Sequence, residues 1–170
     1  DEMCSHVKLC AEGKLPLRVT HNDTKFNNIL IDCETHKALC AIDLDTVMPG
    51  LSVNDFGDAI RFAANNAVED ERDLSKVFIK MDLYNAFAEG FLSKLGNSMT
   101  RTEIENMPLA AKIITMEIAS RFLADYLNGD VYFRIDFTDH NLVRARCQIQ
   151  LAKSMEEHFD EMQKTIEKYL

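Results

Sequence analysis

The sequence predicts an α+β fold, mostly helical, with a small β-hairpin placed ahead of a helical body. Three observations carry this. Two brief apolar runs, Ile29-Leu-Ile-Asp32 and Ala38-Leu-Cys-Ala-Ile42, flank the polar stretch Cys33-Glu-Thr-His-Lys37, the pattern of a buried hairpin with a solvated loop. From Asp55 onward the apolar period changes from two to nearly four, the spacing of a helix face. The 170 residues are 46% apolar and 28% charged, a composition that buries one compact core rather than staying disordered or fibrous.

Taken in order, residues 1 to 11 read as a helix that stops near Gly13, and Pro16 begins an extended approach to a short strand at Leu17-Arg-Val-Thr20. The hairpin follows as the one clear β element. Leu74, Val77, Phe78, Met81, Ala88, Phe91, Leu92 and Leu95 share a helical face, with Gly96-Asn97 as its C-cap. Thr100-Arg-Thr-Glu103 has the spacing of a capping box and opens a helix through Ile104, Met107, Ala111, Ile114, Ile118 and Phe122 to Leu127, which Pro108 restarts or kinks. Asn128-Gly-Asp130 is a turn, residues 131 to 139 are irregular, and a last helix carries Leu142, Ala145, Ile149, Ala152, Phe159, Met162, Ile166 and Tyr169. Their spacings are three and four, except for one gap of seven. There is no internal repeat and no Pro/Ser/Gly-rich linker, so residues 1–170 are one unit, with functional loops at 17–58 and a helical body at 59–170.

Nineteen Lys and Arg against twenty-eight Asp and Glu give a formal charge of -9, which argues against nucleic acid or an anionic membrane as partner and directs attention to small molecules. No apolar run approaches the roughly 20 residues of a membrane span, and no basic-then-apolar leader opens the chain. Five cysteines without a C-x-x-C pair suggest neither a disulfide framework nor zinc, and reduced thiols fit a cytoplasmic location. The chain opens at Asp1, without an initiator Met, in what reads as the end of a helix, so a fragment is expected.

The chemistry sits between residues 21 and 58: His21-Asn-Asp-Thr-Lys-Phe-Asn-Asn28, the hairpin, Ile42-Asp-Leu-Asp45 and Asp55-Phe-Gly-Asp58. Asn28 precedes the outgoing strand and Asp43 ends the returning one, with their midpoint at Thr35-His36 in the turn. Antiparallel pairing at about 4.8 Å then makes an amide oxygen and a carboxylate neighbours able to share one hard cation, a magnesium site by geometry. Asp23, on the loop before the hairpin, is the candidate general base, and Lys25 can supply a cation to transferring phosphoryl oxygens.

H-x-D-x-x-x-x-N followed by I-D-x-D resembles the catalytic and metal loops of the aminoglycoside phosphotransferase and choline kinase group, relatives of protein kinases. Within that group, His21 to Asn28, Ile42-Asp-Leu-Asp-Thr-Val-Met-Pro49, Asp55-Phe-Gly-Asp58, Asp130-Val-Tyr-Phe133 and His140 to Gln148 are most similar to N-acetylhexosamine 1-kinases. These enzymes use ATP to phosphorylate the anomeric hydroxyl of N-acetylglucosamine or N-acetylgalactosamine. The resemblance implies the C-terminal lobe of a protein kinase-like fold. Asp23 would be the base, Asn28 and Asp43 would hold magnesium on the ATP phosphates, and His21 would support the loop. Asp45 is either a second metal ligand or a partner for a nearby backbone group or Arg, and Asp58 is read as the N-cap of the following helix.

Sugar recognition combines an aromatic platform with bidentate hydrogen bonds, and Tyr132, Arg134, Asn141 and Arg144 are the candidates. His140 and His158 read as surface or capping residues. The six glycines are scattered, with no phosphate loop, and no strand-borne lysine precedes His21. The N-terminal nucleotide lobe is therefore expected to be absent and the isolated chain inactive, and the face left open could drive self-association. The alternatives are an aminoglycoside, choline or amino-alcohol acceptor, and a non-catalytic helical binding module.

Overall fold

The computed structural model describes residues 2–170, and the expected mostly helical α+β architecture is what it contains. Helix α1 (Ser5–Ala11) ends just before Gly13, whose φ of 71° supplies the left-handed turn into Leu15. Strands β1 (Arg18–Thr20), β2 (Ile29–Ile31), β3 (Ala38–Ala41) and β4 (Met48–Gly50) form two separate two-stranded antiparallel sheets, β1 with β4 and β2 with β3. The hairpin is therefore not the only β element. Met48-Pro-Gly50 pairs with β1 despite its Pro, because a two-stranded edge tolerates the missing donor.

The hairpin departs from expectation in two ways. It is exposed rather than buried, since neither of its faces packs on the helices, and Leu39 keeps 64% of its surface. Its register is also one residue off. Ile29 pairs with Ala41, and the Ile42 amide donates to the Asn28 carbonyl at 2.9 Å, so Asn28 lies opposite Ile42 and Asp43 is one step further along. The cause is the turn: Ile31 pairs with Ala38 and the Asp32 N–H donates to the Lys37 carbonyl, so the hairpin is centred on Glu34-Thr35 rather than Thr35-His36, and the irregularity between Leu30 and Ile31 brings Asn28 back from Ala41 to Ile42.

Helices α2 (Ser52–Ala63), α3 (Met81–Leu95), α4 (Arg101–Leu127), α5 (His140–Glu157) and α6 (Phe159–Glu167) make the body. Leu74 and Val77 precede α3 rather than belonging to it. Leu74–Lys76 is a 3-10 turn, and Ile79 bridges to Asn65. Gly96 keeps a right-handed φ of -52° and enters another 3-10 turn, so it is not a left-handed cap. The Thr100/Glu103 capping box is present at the start of α4. Pro108 neither restarts nor ends that helix, which continues for 27 residues because packing on both sides outweighs one lost backbone hydrogen bond. The gap of seven between Ala152 and Phe159 marks a real break, for α5 stops at Glu157 and α6 begins at Phe159.

The core runs from Phe56 and Ile60 on α2 through Tyr84 and Ala88 on α3 and Met107 and Ala111 on α4 to Leu151, Met155, Met162 and Ile166. Phe56 is its aromatic hub, with Phe91 at 5.3 Å, Phe87 at 5.9 Å and Tyr84 at 6.0 Å between ring centroids. Gly57 has a packing role. A Cβ there would lie 2.7 Å from the Ala110 carbonyl oxygen and 3.0 Å from the Ala111 nitrogen, so the side-chain hydrogen lets α2 lie against the α4 backbone. Gly57→Ala is expected to push these helices apart and to cost about 1–3 kcal/mol, measurable as a lowered urea midpoint with an unchanged slope.

Candidate active site

Asp55, in the first turn of α2, organises the loop that carries Asp23. Its carboxylate accepts the backbone N–H of His21 on Oδ2 and that of Asn22 on Oδ1, both at 2.8 Å. Thr24 Oγ1 donates to the Asp55 carbonyl at 2.6 Å, and Thr46 Oγ1 donates to the His21 carbonyl at 2.6 Å. Asn22, at φ 62°, spends its side-chain N–H on the Thr46 carbonyl at 3.0 Å. Burial pushes the Asp55 carboxyl upward, and the two amide donors offset this only in part. The His21 ring bridges to the Ile42 carbonyl at 3.0 Å, tying the loop to the end of the hairpin.

Asp23 is held from two sides. Lys25 Nζ lies 2.9 Å and Asn28 Nδ2 2.8 Å from its Oδ2, and Asn28 Nδ2 also donates to the Asp23 carbonyl at 2.8 Å. Burial acts to raise the Asp23 carboxyl, but Lys25 and Asn28 outweigh it and hold it below the usual carboxylate range, so it is ionised at neutral pH. Lys25 is raised in turn by its hydrogen bond to Asp23, with Asp43 and Asp58 adding to the negative field around it.

The Asn28 amide has a forced orientation. Both groups facing its nitrogen are acceptors, so Nδ2 points at Asp23 and Oδ1 is directed away, with no hydrogen bond among the described residues. Asp43 sits in the left-handed region at φ 62°, where Asp is among the better tolerated residues, and its carboxylate is likewise unpaired. Two free oxygen donors at the end of one hairpin fit a hard cation. Asp45 is exposed in the 3-10 turn Leu44–Thr46 and has neither a backbone nor an Arg partner among the described residues. No group of three His, Cys, Asp or Glu able to hold a metal occurs among the described residues. A cation here would therefore complete its shell with water or ligand oxygens.

Asp58 is not an N-cap, because α2 begins at Ser52 and Asp58 lies in its middle. It binds Arg61 through Nε at 3.1 Å and Nη2 at 3.0 Å, and accepts Thr24 Oγ1 at 3.4 Å. Arg61 also meets Glu69 at 2.6 Å.

A cavity of about 520 Å³ joins this loop to the irregular segment after α4. Asp23 and Lys25 line it together with Tyr132, Arg134 and Arg144. Asp125 shapes the far wall by accepting the N–H groups of Val131 at 3.0 Å, Tyr132 at 2.9 Å and Phe133 at 2.9 Å. Asn141 is not available to a ligand, since it is fully buried with its amide on Asp125 and Asp130. Arg144 donates to the Arg134 carbonyl at 3.0 Å and to Asn141 Oδ1 at 3.2 Å, while the Arg134 side chain points to solvent beside Asp136. His140, expected at the surface, is buried. Its Nδ1 accepts the Asp136 N–H at 3.1 Å, its Nε2 meets Asp70 at 3.2 Å, and its ring stacks on Phe137. His158 is half-buried at the α5/α6 break, as a capping residue would be.

Sequence reasoning missed Asp55, Asp125 and Arg121. The Arg121 guanidinium lies 5.8 Å from the Tyr132 ring centre and 5.5 Å from that of Phe133, with no carboxylate partner among the described residues. One signal was present, because Asp55 stands in a motif with Asp58, but a carboxylate in a first helical turn reads equally as a dipole partner.

A model of the phosphotransferase enzyme family matches residues 5–89, half of the chain. The chain belongs to that family. The matched segment contains the parts of this phosphotransferase described above: the Asp23 loop, the hairpin with Asn28 and Asp43, and the α2 carboxylates. The distal wall of the cavity, with Tyr132 and Arg144, lies beyond it. No helix among the described residues is long and apolar enough to cross a membrane.

Proposed function

We propose that this chain is the acceptor- and metal-binding lobe of an ATP-dependent small-molecule kinase of protein kinase-like fold, acting on the anomeric hydroxyl of an N-acetylhexosamine. The observation that carries the reading is the ionised Asp23 carboxylate at the mouth of the 520 Å³ cavity, next to the two free oxygen donors of Asn28 and Asp43. In the reaction, Asp23 orients the acceptor hydroxyl and takes its proton. The acceptor oxygen bonds to phosphorus as the bond to the leaving ADP oxygen breaks. Lys25, 2.9 Å from Asp23 Oδ2, would offer its charge to the transferring oxygens. Asn28 Oδ1 and Asp43, with Asp45 as a further candidate, would hold magnesium, which when bound neutralises phosphate charge.

The charge of the cavity favours a sugar over an aminoglycoside or choline. Lys25, Arg61, Arg121, Arg134 and Arg144 line it against only Asp23 and Glu69. A smaller chamber of about 220 Å³ adjoins it, where Asp55 and Asp58 are engaged with backbone amides and Arg61 while Glu117 shares the wall with Arg121. N-acetylglucosamine and N-acetylgalactosamine are expected to bind at least tenfold more tightly than kanamycin or choline in calorimetric titrations. The reverse order would favour the cationic acceptors.

The 170 residues contain no glycine-rich phosphate loop, and no lysine-bearing strand precedes His21 among the described residues, so these residues alone are expected to show no transfer from ATP. A nucleotide-binding lobe supplied by another segment would complete the site. Exposed apolar side chains on and beside the two sheets, led by Val19 at 84% and Leu39, offer it a surface, and self-association through the same surface is expected when it is missing.

A further inference from the structure

A second cavity, of about 270 Å³, borders the first and shares Arg61, Phe62 and Glu69 with its wall. Its remaining wall is Asn65, Ala67, Val68 and Gln148. Most of its polar lining is already committed. Glu69 is held by Arg61 at 2.6 Å, Asn65 Oδ1 accepts the Ala67 N–H at 3.2 Å, and the Val68 carbonyl accepts Cys147 Sγ at 3.4 Å. Gln148 differs. Its side chain is 1% exposed, its Oε1 is buried with no hydrogen-bond partner, and no described residue accepts from its Nε2. A buried primary amide free at both ends is costly unless something supplies a donor and an acceptor together. A secondary amide does so in one plane, and its alkyl end would meet Phe62, Ala67 and Val68.

We propose that this cavity is a subsite for an acylamino substituent of the acceptor, with Gln148 exchanging hydrogen bonds with the substituent's N–H and C=O. The proposal rests on the acceptor reading above, in that the subsite borders the acceptor cavity. The side-chain NH2 resonances of Gln148 in ¹⁵N-labelled protein, assigned by their loss in Gln148→Leu, are the direct readout.

N-methylacetamide and N-acetylglucosamine are expected to shift these resonances, and glucose is not. Gln148→Leu is expected to reduce the N-acetylglucosamine-to-glucose affinity ratio about tenfold, the value of one net hydrogen bond, while leaving Tm unchanged or raised because no protein partner is lost. Gln148→Met, of nearly equal length, serves if the first variant fails to fold. Resonances that stay fixed at saturating N-acetylglucosamine overturn the proposal. So does an unchanged affinity ratio with a lowered Tm in both variants, the signature of an amide bonded only to buried water. Equilibrium binding needs no phosphoryl transfer, so these shifts stand or fall separately from turnover measurements on Asp23 variants.

Discussion

Asp23→Asn is expected to lower phosphoryl transfer about 10²- to 10⁴-fold, the range for removing a positioned general base, in an assay that includes the nucleotide-binding lobe. The fold should be retained. The Asp23 side chain is partly exposed, and an Asn there still accepts from Lys25 and Asn28 through its one oxygen. The substitution therefore separates chemistry from structure. Because Lys25 and Asn28 hold the Asp23 carboxyl below the usual range, the base stays ionised down to mildly acidic pH, and the acid limb of the wild-type rate profile should begin below that range. A rate within threefold of wild type would remove Asp23 from the base role.

Glu103→Gln is expected to have the largest effect on stability. Glu103 is 1% exposed and sits among donors alone: Arg18 Nε at 2.6 Å, Arg18 Nη2 at 2.7 Å, Ser52 Oγ at 2.7 Å and the Thr100 N–H at 2.7 Å. This one carboxylate ties β1, α2 and α4 together beneath the Asp23 loop. A Gln must turn its NH2 toward a donor in either orientation, and it leaves Arg18 without its counter-charge. Breaking such a pair costs about 3 kcal/mol.

Burial works to raise the Glu103 carboxyl, but Arg18, Thr100 and Ser52 bring it down to about 2. A carboxyl lowered on folding stabilises above its unfolded value of 4.5, and that contribution is lost as pH falls through about 2. Urea unfolding of wild type between pH 7 and pH 3 should therefore show an acid-side decline that is weakened in the Glu103→Gln protein. A destabilisation under 1 kcal/mol at pH 7 would mean that the pair is worth no more than a surface contact.

Local signals in the sequence carried well. The Thr100/Glu103 box, the turn after Leu127, the stop before Gly13 and the hairpin all follow from residues within a few positions of one another. That Asn28 lies beside Asp23 and near the end of the returning strand was legible too, because a short hairpin leaves few ways to arrange its ends. What was not legible depends on distance or on small irregularities. The turn is centred on Glu34-Thr35, which even after the irregularity at Leu30/Ile31 leaves Asp43 one step past Asn28, and no residue type announces it. Burial of the hairpin could not be read, because an apolar strand looks the same whether a neighbour covers it or not. Arg18 and Glu103 are 85 residues apart, and Asp55 meets the Asp23 loop across 33 or 34. Asn141 and Arg144 lie one turn apart on α5, yet the first is locked inside by Asp125 while the second reaches the cavity. Helical spacing alone does not separate them.

The central claim is that one hairpin end presents Asn28 and Asp43 to a single divalent cation beside Asp23. Paramagnetic broadening by Mn²⁺, which replaces Mg²⁺ at oxygen sites, reads this in the chain itself. The account predicts that substoichiometric Mn²⁺ selectively broadens the Asn28 side-chain amide and the backbone amides of Asp23 and Asp43, with the effect lost in Asp43→Ala. Broadening centred elsewhere, or unchanged in that variant, would contradict it.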